Sequence, residues 1–325
     1  MLYNHLKKLI VDAQHILLLT DERIDGDTLG STLGLYFALT SYGKKVSVFS
    51  PKPLPESLAF IPGVEHIGRD TGIFADKSVD LVMICDCSDG VYIKDFLPQL
   101  PQQPPLVVFD HHATNPRYGE LNIVQSTAAS TCDVVWSVLQ TLHIPLTALA
   151  AQCLLTGLCT DTIAFSTRST TGRAFSAASE LLSHGANFQQ IIDKTLHNQK
   201  LATLKVLGLA MSRLAYDKEL QAMTTAITYQ DLLDAQEDED NWSAGRASEI
   251  INELSEEKPE HGVCIVYSEK SDGTIRGSIR SRGRDISKLA TERWNGGGHK
   301  LAAGFSVKNG RLICENGVWK ITDKV

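Results

Sequence analysis

The stretch HILLLTDERIDGDTLGSTLGLYFALTS, residues 15–41, decides the fold. Residues 15–20 form an apolar run too short for a helix and without alternation, as expected of a strand buried on both faces. From Thr28 to Ser41 the apolar positions return at helical spacing. Between the two lies an acidic turn carrying Asp21, Asp25 and Asp27. Working outward, KKVSVFS (44–50) supplies a second strand and PKPLPES a Pro-rich connection. VDLVMICDCSD (79–89) and PLVVFDHHATN (105–115) repeat the pattern of an apolar run ending in acids or histidines. The spacing predicts an α/β fold, a doubly wound and mostly parallel sheet, with a further helix between the strands ending near Asp86 and Asp110. Residues 126–185 read as helical, with stops at His143-Ile144-Pro145 and at Gly185.

Beyond residue 186 the character changes. Residues 187–216 read as a helical linker, with Lys200–Tyr216 its stronger part. QAMTTAIT (221–228), GVCIVYS (262–268), GTIRGSIRS (273–281) and AAGFSVK (302–308) are strand-like, with helices expected over 243–254 and 285–293. This predicts a first domain over 1–186 and a smaller α+β domain over 217–325. The acidic stretch 231–240 reads as a solvated helix end and loop.

At 325 residues the chain can bury two cores, and 43% hydrophobic with 21% charged residues is ordinary globular composition. A net charge of −7 argues against duplex nucleic acid as a partner, which requires many Lys and Arg contacts to phosphate. It leaves room for a small phosphorylated ligand in a local basic pocket. Neither a signal peptide nor a membrane span is expected. The seven cysteines lack CxxC spacing and read as reduced thiols, so a cytoplasmic location is expected.

In an open α/β sheet, ligands bind beyond the carboxyl ends of the strands, where all three clusters fall. Carboxylates gathered that closely repel one another unless cations neutralise them, and two divalent metals are the simplest solution. Gly26 is expected to allow a tight bend that aims Asp25 and Asp27 into one crevice. Asp86 reads as a bridge between metals or, more blandly, a strand-end cap; Asp89 reads as a helix cap. In Asp110-His111-His112, adjacent imidazoles on an extended segment point apart, so one would bind metal while the aspartate orients an imidazole. Asp161 ends an apolar helical stretch and is a further carboxylate candidate. From Arg276 to Lys300 there are seven basic residues against two acids, and Arg276, Ser278, Arg280 and Arg282 share one strand face.

Taken in order, these segments resemble the DHH phosphoesterase family. DGDTLGS, ICDCSD, DHHATN and TGLCTDT match its four motifs, and GGGHKLAAGF (296–305) is similar to the glycine-rich motif of the associated DHHA1-type domain. Length and layout look most like the bacterial subgroup of oligoribonucleases and adenosine 3′,5′-bisphosphate phosphatases. The resemblance assigns metal ligation to Asp25, Asp27, Asp86, His111 and Asp161. It assigns the substrate phosphate to His112, and phosphate or nucleotide contacts to Arg280, Ser281 and the Gly297-Gly298-His299 turn. Where the family's first motif begins with histidine this chain has Asp21, expected here to act as a substitute metal ligand.

The resemblance implies a pair of divalent ions, manganese first, with magnesium or cobalt as alternatives. Its mechanism would be attack on phosphorus by hydroxide held between the metals, in an interdomain cleft. Implied substrates are short single-stranded oligonucleotides, adenosine 3′,5′-bisphosphate or both, with a homodimer as one admissible assembly. Cyclic or linear dinucleotides are the alternative substrates. A nucleotide-binding sensor with an impaired metal site is the competing non-enzymatic reading.

Overall fold

A computed structural model describes residues 2–167, 169–197, 200–239, 242–254, 262–298 and 300–323. The chain forms two compact units, Met1–Asn198 and Gln199–Val325. The first runs α1 (Leu2–Asp12), β1 (His15–Leu19), α2 (Gly26–Ser41), β2 (Lys45–Phe49), β3 (Ile67–Gly68), β4 (Leu81–Cys85), β5 (Leu106–Asp110) and β6 (Leu121–Val124). Four helices follow: α3 (Thr131–Leu142), α4 (Ala148–Asp161), α5 (Gly172–Ser183) and α6 (Phe188–Thr195).

The strands form one parallel sheet in the order β3-β2-β1-β4-β5-β6. Every residue of β1, β4 and β5 is buried, which is why those segments read as unbroken apolar runs. Alternate residues serve two cores. Ile16 and Leu18 pack with the helices, while Leu17 and Leu19 join Phe49, Phe74 and Tyr92 on the opposite face. Each such side chain contributes about 1.5–3 kcal/mol relative to exposure. The strand order reverses between β1 and β4, and at such a switch point the connections diverge and leave a crevice.

No helix forms between β4 and β5, contrary to the sequence expectation. Two 3-10 turns, Tyr92–Asp95 and Leu97–Gln99, take its place. Pro98, Pro101, Pro104 and Pro105 remove amide donors and bias the residues before them away from helical angles. That face of the sheet is covered instead by aromatic packing, with Phe74 centred 4.9 Å from both Phe49 and Phe96.

The second unit comprises α7 (Leu201–Ser212), β7 (Ala215–Asp217), β8 (Ala222–Ile227), α8 (Tyr229–Ala235), α9 (Ala244–Leu254), β9 (Val263–Glu269), β10 (Ile275–Ser281), α10 (Ser287–Trp294), β11 (Gly297–Gly298), β12 (Ala302–Val307), β13 (Gly310–Glu315) and β14 (Val318–Asp323). The 187–216 segment thus gives α6 to the first unit, and α7 and β7 to the second. Its main sheet is mixed, ordered β11-β12-β10-β9-β8-β7 with only β8 and β9 parallel, and β13 pairs with β14 as a hairpin. Among the described residues no helix is long and apolar enough to cross a membrane.

Candidate metal centre

The loop after β1 begins the site. Asp25 caps α2, its Oδ1 accepting from the backbone N–H groups of Asp27 and Thr28, both at 2.9 Å. Gly26 serves close approach rather than the expected bend. It sits in the first turn of α2, and a Cβ there would lie 2.3 Å from Thr160 Oγ1, so the glycine lets α2 meet the end of α4. Asp27 is turned inward and held at the start of α3, accepting from Thr131 N at 2.6 Å and Cys132 N at 2.9 Å. Free N–H groups at a helix start favour an anion, and here the anion is a side chain of the protein itself.

Asp86 follows β4 across the switch point, with φ +59° and only 6% of its surface exposed. Aspartate tolerates the left-handed region better than most residues. Its carboxylate accepts from the hydroxyls of Thr28 at 2.7 Å and Thr131 at 2.9 Å. Burial, then the charges of Asp27 and Asp25, push its carboxyl well above the ordinary range. Local desolvation of its carboxylate, then the charge of Asp27, likewise raises Asp25, although the residue as a whole is exposed. These carboxylates, buried at Asp27 and Asp86 and exposed at Asp25, repel one another, the situation a divalent cation resolves.

The imidazoles come from the turn after β5. Asp110 Oδ1 accepts from the backbone N–H of His111 at 2.7 Å and of His112 at 3.1 Å, which folds the chain back on itself. The extended geometry assumed from sequence therefore does not hold, and the two rings lie 4.5 Å apart. His111 Nε2 stands 3.7 Å from Asp161 Oδ2 and 3.9 Å from Asp86 Oδ1. Donor atoms of Asp27, His111 and Asp161 lie within 4.8 Å of one another, as do those of Asp86, His111 and His112. Such spacing suits ligands sharing an ion bound at about 2.0–2.2 Å.

His112 Nδ1 lies 2.8 Å from Asp110 Oδ1, while Asp110 Oδ2 accepts from Asn115 Nδ2 at 2.6 Å. Burial opposes ionisation of Asp110, yet the bonds from His112 and Asn115 hold its carboxyl below the usual range. An ionised carboxylate only accepts, so Nδ1 of His112 carries the proton and is no metal donor while that bond stands. The same bond raises the pKa of His112. Asp110 thus orients His112, not the metal-facing His111.

Asp21 stands apart from the donor groupings. It is buried, with Oδ1 accepting from Glu22 N at 2.7 Å and Oδ2 from Arg23 Nε at 3.2 Å. Asp89 caps a turn by accepting from Val91 N at 3.1 Å. The sequence reading missed Thr131, whose hydroxyl and amide hold both Asp86 and Asp27; the helix-start signature Ser130-Thr131 before an apolar run was the available signal. It also missed Gly157, where a Cβ would lie 2.9 Å from the Asp27 Cα.

In the second unit, β10 alternates as expected, turning Arg276, Ser278 and Arg280 to the less buried face. Arg280 Nη1 donates to Ser278 Oγ at 3.2 Å and to the Ile279 carbonyl at 3.1 Å, and Ser278 meets Ser248 at 3.0 Å. Ser281 lies on the opposite, buried face, where its hydroxyl accepts from Gly283 N at 3.2 Å. Gly297 and Gly298 are exposed and pair with Gly304 and Ala303. Gly298 has φ +144°, and a Cβ there would approach the Ala302 carbonyl to 2.5 Å. His299 lies outside the described residues.

The profile of the DHH family's N-terminal domain matches residues 15–158, and that of the DHHA1 domain matches residues 222–323. The chain belongs to the DHH/DHHA1 phosphoesterase family. It is 29% identical to the bifunctional oligoribonuclease and PAP phosphatase NrnA of Thermus thermophilus, over 87% of this chain and 81% of that protein. It is 25% identical to the cyclic-di-AMP phosphodiesterase GdpP of Geobacillus thermodenitrificans, over 94% of this chain but 46% of that protein. The crystal structure of an exopolyphosphatase-related protein from Bacteroides fragilis superposes with a TM-score of 0.81 at 25% identity, covering 93% of this chain and 90% of that one.

This DHH-family chain carries one strained segment beside its site. Directly after Asp161 and Thr162, residues Ile163, Ala164 and Phe165 have φ of +45°, +52° and +67°. Left-handed angles cost an L-residue about 1–2 kcal/mol each, and a β-branched side chain is the least suited to them. The turn is held because Ala164 N reaches back to the Cys159 carbonyl at 2.8 Å and Phe165 stacks on Phe175. Ile163→Gly is expected to stabilise the protein by about 0.5–1 kcal/mol, after the glycine's own unfolded-state entropy is counted. A rise in Tm of the variant checks this; a fall would show that the Ile163 side chain contributes more than its strain costs.

Proposed function

We propose that this phosphoesterase hydrolyses short oligonucleotides, adenosine 3′,5′-bisphosphate or both, with a pair of divalent metal ions, manganese first. The observation that carries the reading is the gathering of Asp27, Asp86, His111 and Asp161 at one sheet edge, in a chain whose second unit is of the DHHA1 type. The similarity to NrnA along most of both chains supports the substrate class. Asp27, His111 and Asp161 would hold one ion, Asp25 and Asp21 the other, with Asp86 shared between them. The mix of imidazole and carboxylate suits manganese, with cobalt or magnesium as alternatives. Bound there, divalent ions would activate water and neutralise charge on the phosphoryl oxygens.

The protein's own groups supply the rest. His112, protonated on Nδ1 and oriented by Asp110, would stabilise phosphoryl charge or assist the leaving oxygen. The planar fork of Arg280 would take a substrate phosphate, aided by the glycine turn at 297–298, whereas Ser281, expected from the resemblance to share that contact, faces the other way and holds the turn at Gly283 instead. Arg280→Ala should raise KM roughly tenfold or more with kcat little changed; an unchanged KM would remove Arg280 from substrate binding. Six of the seven cysteines are buried free thiols and the other is an exposed one, in keeping with work in the reducing cytoplasm.

A second reading, cleavage of cyclic or linear dinucleotides, is favoured by the match to GdpP along 94% of this chain. One turnover panel with manganese separates the two: di- to pentanucleotides, adenosine 3′,5′-bisphosphate, cyclic di-AMP and its linear form. Fastest turnover of the short oligonucleotides or the bisphosphate bears out the first reading. Fastest turnover of cyclic di-AMP bears out the second, and no turnover of any overturns both.

A further inference from the structure

The two halves of the centre are not built alike. Around His111 the donors include an imidazole, and they stand close enough to share an ion as they are. On the Asp25 side stands Asp21, a carboxylate and not an imidazole, and it is already engaged. Oδ1 is tied to its own loop at Glu22 N, and Oδ2 meets Arg23 Nε at 3.2 Å. Arg23 also donates through Nη2 to Ser88 Oγ at 3.3 Å, so one guanidinium joins the loop after β1 to the loop after β4 across the switch point. Among the described residues, the groupings of metal-competent donors include neither Asp21 nor Asp25.

An ion arriving at that side must displace Arg23 from Asp21 or tolerate its positive charge nearby. It would also find only hard oxygen donors, which hold transition metals less firmly than imidazole does. We infer that the Asp21–Arg23 pair makes the centre unequal: the Asp27, Asp86, His111 and Asp161 position binds manganese tightly, and the Asp21, Asp25 and Asp86 position binds it weakly. Arg23 acts as the resident cation of the weak position until a second ion competes with it. This rests on the metal-dependent reading given above.

Calorimetric titration of the metal-stripped full chain with manganese chloride tests it. The expected isotherm has one tight equivalent and a second at least roughly tenfold weaker, as removal of one favourable charge contact near a surface would produce. Arg23→Gln should tighten the second step by roughly tenfold and leave the first unchanged. The Arg23 side chain is 69% exposed, so the variant folds, and its Tm verifies that. Asp21→His should also strengthen the second step, for manganese more than for magnesium. Two equal equivalents in the unaltered chain, or a second step indifferent to Arg23→Gln, would overturn the inference while leaving the metal-dependent reading in place. Failure to bind any manganese would overturn that reading and the inference with it.

Discussion

Asp86→Asn is expected to lower kcat by roughly a thousandfold or more while changing KM only a few-fold. Asparagine keeps the volume of the side chain, and where the carboxylate accepts from the hydroxyls of both Thr28 and Thr131 its carbonyl can accept from one while its amide donates to the other. What it lacks is the charge that would join two cations. Stability should move the other way in the absence of metal. The folded-state pKa of Asp86 is raised, by burial first and by Asp27 and Asp25 next. A raised carboxyl stabilises the fold below its unfolded pKa of about 3.9 and loses that contribution as pH rises toward the folded value. At neutral pH the metal-free native chain therefore carries a penalty that asparagine removes.

The Tm values of the two proteins should cross: the variant higher in chelator, the native chain higher in manganese. A purely structural Asp86, bound to its two threonines and nothing else, would leave the order of the two Tm values the same in chelator and in manganese. Full turnover by the variant would remove Asp86 from the chemistry altogether.

Much of this site was legible because burial and chemistry fall on different residues of the same short segments. In LVMICD and LVVFDHH the apolar run fixes a central strand, and the first charged residue must then lie at its carboxyl end. Five motifs in order supplied the family. Contacts made across the fold were not legible. Nothing near Thr131 in sequence says that its amide will hold Asp27, 104 residues earlier. Nor does Asp21 announce its partner, since an arginine two residues on can point anywhere. The covering of the second sheet face by Phe49, Phe74 and Phe96 was hidden because 3-10 turns have no period that a short segment can display. The β13–β14 hairpin is different, because its signal was present. Asn316-Gly317, with φ of +51° and +81°, is the turn pair that right-twisted hairpins prefer, and the reading passed over it.

Gly157→Ala is expected to cost about a hundredfold in kcat and about 1–3 kcal/mol in stability through overpacking. A Cβ at Gly157 would lie 2.3 Å from Cys132 Sγ and 2.9 Å from the Asp27 Cα. Two elements converge there: α4 presses on the start of α2 while α3 holds the Asp27 carboxylate by its first amides. The backbone atom cannot yield as a flexible side-chain tip would, so α4 must retreat. Asp161 lies one helical turn further along the same face of α4, and it retreats as well. The distance between Asp27 and Asp161 would then open, and manganese affinity should fall together with turnover. Gly208→Ala is the control, because a Cβ at that helical position meets nothing within 4 Å. It should raise stability by about 0.5–1 kcal/mol through helix propensity and leave kcat unchanged. If Gly157→Ala retains native turnover and native manganese affinity, the spacing of the two carboxylates is not set by how closely α4 approaches α2.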